Sequence, residues 1–580
     1  MPRARLVLSI CCLFVPATAR SQLGRVDSLR TLSSAHAAQS RFERARRELL
    51  PRGGDPDDHL CETVVGRMCY WQEDDTDQPM PEPRAIANAR LALLATLGHL
   101  NGVSPGDNWI AGQRIRYMVE SGEDSAAVSV ARSCSPPRWY CKVLLGYAFH
   151  SSERYADATA AFDSALAEMP VAERCRWNDI SVLLDDGERD SYDRLPCGQR
   201  DSVEKRFWDL AQPSFAVRGN DRRTEHFSRV LLADLSEDAA NAYGLLWGPD
   251  MRELLIRYGE PLWYSGTWPT RFDASSTPIG HDKIPSFHFA ADMDGDSARW
   301  DARAHIARER YAPPYIATLT DLDAQFAMMK RGDSALVVAV YVDTAGDTTS
   351  SEALLGIAGG AISDTAPTGL RHEHVRRART GWKGMMVAME EFDPTRRSDA
   401  RAREWLEPPP HAEGAPDLST LLLFAADTSA HVETLDEALA HALTATELRG
   451  TRRLGLYWEV YGAVHDSSGG PVVPTVAADS QTVTPVDSPS LATGDSSSVL
   501  VTVARTDGGV LRWLGNALHI TRRDSPLAVR WNDTHAGAGI AAHSVVLDLA
   551  QLPGGTYRVT VAVGADDAHR TEVSREIRLR

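Results

Sequence analysis

The stretch Leu144-Leu-Gly-Tyr-Ala-Phe-His-Ser-Ser-Glu-Arg-Tyr-Ala-Asp-Ala-Thr-Ala-Ala-Phe-Asp-Ser-Ala-Leu-Ala-Glu-Met-Pro170 decides how the first part of the chain folds. Its apolar residues recur at a helical period, with small ones where two helices must approach closely and larger ones filling the space between. It predicts an antiparallel helical hairpin. Residues 84 to 170 alternate helical periods with short polar breaks in the same way, and Asn108 to Glu120 and Asp124 to Arg132 supply further helices. Stacked hairpins are the architecture this pattern implies.

The hairpin resembles a tetratricopeptide repeat. Leu145, Gly146, Phe149, Tyr155, Ala158, Phe162, Ala165 and Pro170 fall on the positions that the repeat requires, and Lys142 stands where the pattern prefers tryptophan. The resemblance implies a concave face that binds a partner protein or peptide.

Outward toward the N-terminus, Met1-Pro-Arg-Ala-Arg5 is a basic segment, Leu6 to Pro16 an apolar run, and Ala17-Thr18-Ala19 a small-residue cleavage site. Residues 1–19 therefore read as an export signal. A lipoprotein anchored through Cys11 is disfavoured, because the apolar run continues past Cys11 and Cys12. The run is far shorter than the ~20 residues of a membrane-spanning helix, and no later segment approaches that length, so no transmembrane segment is expected. The expected destination is the periplasm or the extracellular medium of a bacterium.

Six cysteines follow the signal, at 61, 69, 134, 141, 175 and 197. An even number in an exported chain implies disulfides, and nearest-neighbour spacing favours Cys61–Cys69, Cys134–Cys141 and Cys175–Cys197, since short loops cost little closure entropy. No closely spaced cysteine or histidine pair of the zinc-binding kind accompanies them. The formal net charge is −17, or −19 once Arg3 and Arg5 leave with the signal. That balance argues against nucleic acid and anionic membranes as partners.

Outward toward the C-terminus, Arg218-Gly219 reads as a turn and Asn220 as the N-cap of a helix with Phe227, Val230, Leu231 and Leu235 on one face. A second helix runs from Pro249 to Tyr258, with proline in its first turn, Gly259 at its C-cap and Pro261 beyond. The pieces Asn220-Asp-Arg-Arg-Thr-Glu-His226, Trp247-Gly-Pro-Asp250 and Ile256-Arg-Tyr-Gly-Glu-Pro261 resemble the GWxTD-domain proteins, exported bacterial proteins known mainly from sequence. The resemblance covers residues 207 to 290, with Gly244-Leu-Leu-Trp247 separating the glycine from the tryptophan, and it implies an exported setting without a reaction.

From residue 285 the periodicity becomes two. Strands are expected at Ser286 to Ala290, Ala335 to Val342, Glu352 to Ile357, Met385 to Glu391 and Thr420 to Phe424, followed by a helix from Glu433 to Leu443. Further runs at Leu454 to Tyr461, Val499 to Arg505, Ala517 to Thr521, Leu527 to Trp531, Val545 to Leu549, Thr556 to Val563 and Arg575 to Leu579 suit a β-sandwich, and Leu552-Pro-Gly-Gly-Thr-Tyr-Arg558 resembles a turn-to-strand passage of immunoglobulin-like sandwiches. The expected fold class is multidomain α + β: TPR-like helical hairpin repeats, a central α+β region and C-terminal immunoglobulin-like β-sandwich modules. The expected boundaries are 22–200, 201–284, 285–450 and 451–580, with a mobile loop over 466–498.

Chemistry is sparse. There is no Walker loop, no G-x-S-x-G elbow and no H-E-x-x-H helix. The strongest polar cluster is Asn220 to Arg229. Asp221 and Glu225 share a helical face, as do Arg222 and His226, and Glu225 is spaced to pair with Arg229. Glu225 and His226 are an acid/base pair if they face a cleft, but an i,i+4 charge lattice is the favoured reading. His372-Glu-His374 has metal-like spacing, but Arg371, Arg376, Arg377 and Arg379 oppose a cation, so a solvated basic loop is expected. Asp292-Met-Asp-Gly-Asp296 has the wrong spacing for an EF-hand and reads as an acidic turn. The aromatic group Trp247, Tyr258, Trp263, Tyr264 and Trp268 is read first as packing.

The candidate binding residues are Asn220, Asp221, Arg222, Glu225, His226, Trp247, Asp250, Arg257 and Tyr258. No catalytic residue, metal or cofactor is assigned. The function that fits is an exported interaction or scaffold protein engaging another protein or peptide through its helical repeats. The alternative is a hydrolase of envelope or extracellular polymer with its site near residues 220–260, which requires Glu225, His226 and Asp250 to converge.

Overall fold

The computed structural model describes residues 17–51, 63–70, 81–184, 186–242, 244–260, 263–266, 278–281, 313, 315–342, 352–357, 375–411, 415–426, 432–450, 453–461, 496–506, 527–534, 539–564 and 569–580. Residues 1–16 of the expected signal, Cys61, Trp268, His372-Glu-His374, Asp292–Asp296, the expected strands 286–290 and 517–521 and the loop up to residue 495 lie outside the described residues. The chain divides into a helical unit and a sheet unit. The sheet unit begins at Pro313 and also takes in Ser214–Ala216. Mixed α + β is therefore the fold class, helical first and mainly antiparallel β after.

In the helical unit, α1 (Ala17–Leu49), the hairpin β1 (Thr63–Val65) and β2 (Met68–Tyr70), α2 (Arg84–Val103), α3 (Asn108–Glu120), α4 (Asp124–Arg132), α5 (Arg138–Ser151) and α6 (Tyr155–Glu168) come first. They are followed by α7 (Val171–Asn178), α8 (Asp186–Asp193), α9 (Asp201–Ala211), α10 (Asp221–Glu237), α11 (Pro249–Tyr258) and a two-strand ladder of β3 (Trp263–Gly266) and β4 (Pro278–His281). Local chemistry sets the ends: Asp107 accepts from the Ile110 amide at 2.9 Å to cap α3, and Asn220 accepts from the Arg223 amide at 3.0 Å to cap α10. The core is built from one face of each helix, with Ile115, Val143, Phe162, Trp177, Phe227 and Leu231 buried together. Each of the larger side chains contributes about 1.5–3 kcal/mol by leaving water. Cys134–Cys141 closes the turn from α4 to α5, and Cys175–Cys197 ties α7 to the segment before α9, with Cα separations of 5.7 and 5.8 Å.

Gly219 shows why the turn into α10 is glycine. Its φ is +92°, and a β-carbon there would stand 2.5 Å from the Tyr155 backbone at the start of α6. Both the conformation and the contact exclude a side chain.

Among the described residues the sheet unit holds four sheets. The first has the order β5 (Thr318–Asp321), β11 (Ser398–Leu406), β10 (Met385–Asp393), β8 (Glu352–Ile357); the second is β6 (Ala324–Arg331), β7 (Ser334–Tyr341), β9 (Val375–Gly381). In the third, β12 (Asp417–Leu418) and β13 (Leu422–Ala425) line one edge of β15 (Arg453–Tyr461), and β18 (Ile540–Asp548) lines the other. The fourth is β14 (Glu447–Leu448), β20 (Arg570–Leu579), β19 (Gly555–Gly564), β16 (Ser496–Arg505), β17 (Leu527–Thr534).

Each sheet shares a core with the next. Phe326 and Val337 meet Val387 and Met389 between the first and second; Met329 and Val338 meet Phe424 and Tyr457 between the second and third; Leu456 and Trp458 meet Val501 and Val561 between the third and fourth. Burial on both faces explains the nearly unbroken apolar run Ala335-Leu-Val-Val-Ala-Val-Tyr341. The circuit closes through Arg575 on β20, whose guanidinium donates to the carbonyls of Phe326 at 2.5 Å and Leu421 at 2.8 Å and pairs with Glu404 at 3.0 Å. One buried side chain thus joins all four sheets, which are arranged as a four-bladed propeller.

Several expectations need correction. Val375–Gly381 is a strand and not a solvated basic loop: Ala378 enters the core while the arginines beside it point away. The helix expected over Glu433–Leu443 is the six-residue α12 (Leu435–Ala440), started by the Thr434–Glu437 capping box and ended because Ala442 bridges Phe424 and Leu443 bonds Leu423. The strand expected at Thr420 starts at Leu422, since the Thr420 hydroxyl and amide are spent on Met328. Strands β5, β6 and β11 were not anticipated by the sequence pattern.

Candidate functional site

The α10 cluster is an ion-pair lattice inside the helical unit. Arg222 donates to Glu225 at 2.5 Å from one turn before, and Arg229 pairs with Glu225 from one turn after. Arg229 also donates to the Ile256 and Arg257 carbonyls, at 3.2 and 2.6 Å, placing its charge on the negative end of α11. Gly259 follows with φ +83°, and a β-carbon there would crowd the Arg229 guanidinium at 3.1 Å. Burial pushes the Glu225 carboxyl up, but Arg229 and Arg222 outweigh it and hold the group below the usual carboxylate range.

His226 is enclosed, 1% exposed, with its ring 5.1 Å from that of Trp208. Burial, reinforced by Arg222, Arg229 and Arg223, pushes its pKa down to about 3. His150 contacts the Thr224 hydroxyl at 2.9 Å, and burial pushes its pKa down to about 4 despite Glu225. Both imidazoles are neutral at physiological pH, His226 enclosed and His150 partly buried. Asn220 joins two further elements besides capping α10: its amide nitrogen donates to the Trp208 carbonyl of α9 at 2.7 Å and its backbone N–H to Thr159 of α6 at 3.2 Å. Asp221 is buried beside it.

Asp250 is occupied elsewhere. Its carboxylate accepts from the Arg67 side chain at 2.6 and 2.8 Å, the Arg67 amide at 3.1 Å and the Met251 amide at 2.9 Å. These bonds, the Arg67 side chain first, hold it well below the usual carboxylate range. Tyr258 is buried, Arg257 pairs with Glu253 at 3.1 Å, and Trp247 packs partly buried on the helical core. Glu225 and Asp250 thus have separate partners and His226 is enclosed against Trp208, and the structure does not gather them into one acid/base centre. Among the described residues no group of three His, Cys, Asp or Glu side chains is placed to hold a metal ion, and no helix is long and apolar enough to cross a membrane.

A different feature of the same region faces outward. Between α10 and α11, Leu246 is 87% exposed, the most open of the large apolar side chains described, with Leu245 beside it at 39%. The backbone beneath them is pinned: Asn241 exchanges hydrogen bonds with the Leu245 carbonyl and amide at 2.8 and 3.3 Å, and Arg67 donates to the Leu246 carbonyl at 3.1 Å. Asp250, by orienting Arg67, positions this loop. Sequence reasoning found Trp247 and Asp250 but missed Arg67 and Leu246, because a hydrogen bond spanning 183 residues leaves no local pattern.

No family model matches the chain, and no curated protein shows significant similarity to it. The two disulfides and the absence of a membrane-spanning helix among the described residues are consistent with an exported protein.

Proposed function

We propose that this is an exported interaction protein whose helical unit engages another protein or peptide, with the 244–248 loop as its contact point. The observation that carries the reading is Leu246, an apolar side chain held in water on a backbone fixed by three hydrogen bonds from Asn241 and Arg67. A large aliphatic group that gains nothing from its own fold, on a loop that loses little entropy on binding, has the properties of an interface anchor. Of the acid/base candidates nearby, Glu225 and Asp250 are held in internal pairs and His226 is buried and neutral, which favours binding over polymer hydrolysis. The α5–α6 pair is read as a tetratricopeptide-like hairpin, supported by Gly146, where a β-carbon would meet the Phe162 ring at 2.9 Å. The third and fourth sheets share one core as the other neighbouring blades of the propeller do, so their packing does not single out the immunoglobulin-like sandwich expected for the C-terminal part. The GWxTD-like pieces lie in α10, α11 and the loop between them, so that resemblance and the proposed contact coincide.

The test is photo-crosslinking from position 246 of the full chain in the native exported fraction, with competition by unlabelled protein. A discrete partner, outcompeted by the native chain but not by a Leu246→Asp variant of unchanged melting temperature, is the expected result. Equal competition by both proteins would remove the loop from the interface.

A further inference from the structure

The outer face of the first sheet carries a second buried polar array. Glu390 on β10 is fully buried, and one of its oxygens accepts from the Ser214 hydroxyl at 2.9 Å, the Phe215 amide at 2.6 Å and the Ala216 amide at 3.1 Å. Its other oxygen accepts from Arg403 on β11 at 2.9 Å, and that guanidinium lies 4.3 Å over the Phe215 ring. Phe215 in turn rests on Gly356 of β8, where a β-carbon would stand 2.8 Å from its ring. A single carboxylate thus grips a three-residue segment by two successive amides and a hydroxyl, an arrangement that demands a charged acceptor.

Asp399 shares this face. In the ladder Glu390 stands opposite Arg401, which puts Asp399 one diagonal step away along β11. It is 1% exposed, and neither of its oxygens has a hydrogen-bond donor in good geometry among the described residues. The Ser214 hydroxyl lies toward it but has one proton, already given to Glu390. The charged groups facing the pair are Arg401 and Arg403 from β11, and Tyr315 from the segment before β5 lies against Arg401 in turn. Burial first, and then the neighbouring Glu390, pushes the Asp399 carboxyl up to about 8.

We propose that Asp399 and Glu390 form a proton-controlled clasp in which Asp399 carries a proton and Glu390 the charge, and that ionisation of Asp399 weakens the grip on Ser214–Ala216. With the proton in place, Asp399 is a neutral donor available to the Ser214 oxygen, while Ser214 donates to Glu390. Loss of that proton to solvent leaves two carboxylates competing for one hydroxyl and sets a second negative charge beside the first. The closed clasp binds one more proton than the open segment. Its grip is therefore complete below about pH 4 and declines as pH rises through about 8, by up to about tenfold per pH unit.

The test is hydrogen exchange of the Phe215 and Ala216 amides in the full chain, corrected for intrinsic exchange and referenced to core amides of β15. The native protein should lose up to about tenfold protection per unit between about pH 5 and 7 and level off above about 8, while Asp399→Asn stays flat. Equal slopes in the two proteins would overturn the proposal. Should Asp399→Asn not fold, infrared difference spectra of the native chain decide: the carbonyl stretch of a protonated buried carboxyl must be present near neutral pH and vanish as pH rises through about 8, where protection levels off. Its absence at neutral pH would also overturn the clasp.

Discussion

Glu225 and Glu390 are both buried, and the two units satisfy them in opposite ways. Glu225 is held by arginines from its own helix, three residues before and four after. Glu390 is held by a cross-strand arginine and by a backbone segment some 175 residues earlier. Around Glu225 the cations are in excess and the neighbouring histidines are forced neutral. Around Glu390 a second carboxyl is forced to keep its proton. The comparison teaches that burying one kind of side chain fixes no pH response; the neighbours do. Acid should weaken the helical unit and tighten the clasp in the sheet unit.

The largest expected effect comes from removing the charge that organises the helical lattice. Glu225→Ala strands Arg222 and Arg229 in the interior and should cost about 3–5 kcal/mol, read by denaturant unfolding of the full chain. An effect below about 1 kcal/mol would show that water reaches the cluster.

Acid comes next. His150 and His226 have folded pKa values below the free imidazole value, so the stability they contribute is present above about pH 6.5 and is lost as pH falls toward 4 and 3. At pH 5 each should cost about 2 kcal/mol. Hydrogen exchange of α5 and α10 amides between pH 7 and 5 measures this, and His226→Gln should remove about half of the dependence. A helical unit indifferent to pH 5 would break the contrast with the clasp.

Reduction of the disulfides ranks third. Opening Cys175–Cys197 should cost about 3 kcal/mol and opening Cys134–Cys141 about 2, following the lengths of the loops they close. Calorimetry with and without reductant should shift the transition of the helical unit and leave that of the sheet unit in place. The smallest effect is expected from Arg67→Ala, since the residue is half exposed. It should barely change the melting temperature, yet loosen the 244–248 loop and raise exchange at the Leu246 amide.

What could be read from the sequence follows the range of the interactions. The Glu225–Arg229 spacing, the Asn220 cap, the Pro249 and Gly259 ends of α11 and two short-loop disulfides are all local, and each stands in the structure. Strand β8 coincides with the expected Glu352–Ile357, because apolar runs of this length bounded by turns carry their own signal. Strand β11 alternates Ala400 and Ala402 inward with Asp399, Arg401 and Arg403 outward, a true period of two written in residues of poor strand propensity. The outward row is nevertheless buried, under Ser214–Ala216, and nothing near it in sequence announces that cover. Strand β9 was concealed for a similar reason: three arginines in seven residues look like a solvated loop until Ala378 is seen in the core. The propeller itself depends on which strands exchange between sheets, and hydrophobic periodicity does not encode strand order.

Arg575 sets a timetable for folding as well as closing the ring. Its bond to the Phe326 carbonyl spans 249 residues, and bringing such distant points together costs about 5 kcal/mol of chain entropy before any contact is repaid. The helical unit, whose helices α2 to α6 pack largely on neighbours in sequence, can begin to form while the four sheets still lack their common tie. Until β20 takes its place, the first three sheets lack the Arg575 ties to Phe326, Leu421 and Glu404 and the fourth lacks its strand, leaving the unit exposed to proteases and to other unfinished chains. Newly made protein should therefore pass through a stage in which its helices are protected from exchange and its sheets are not.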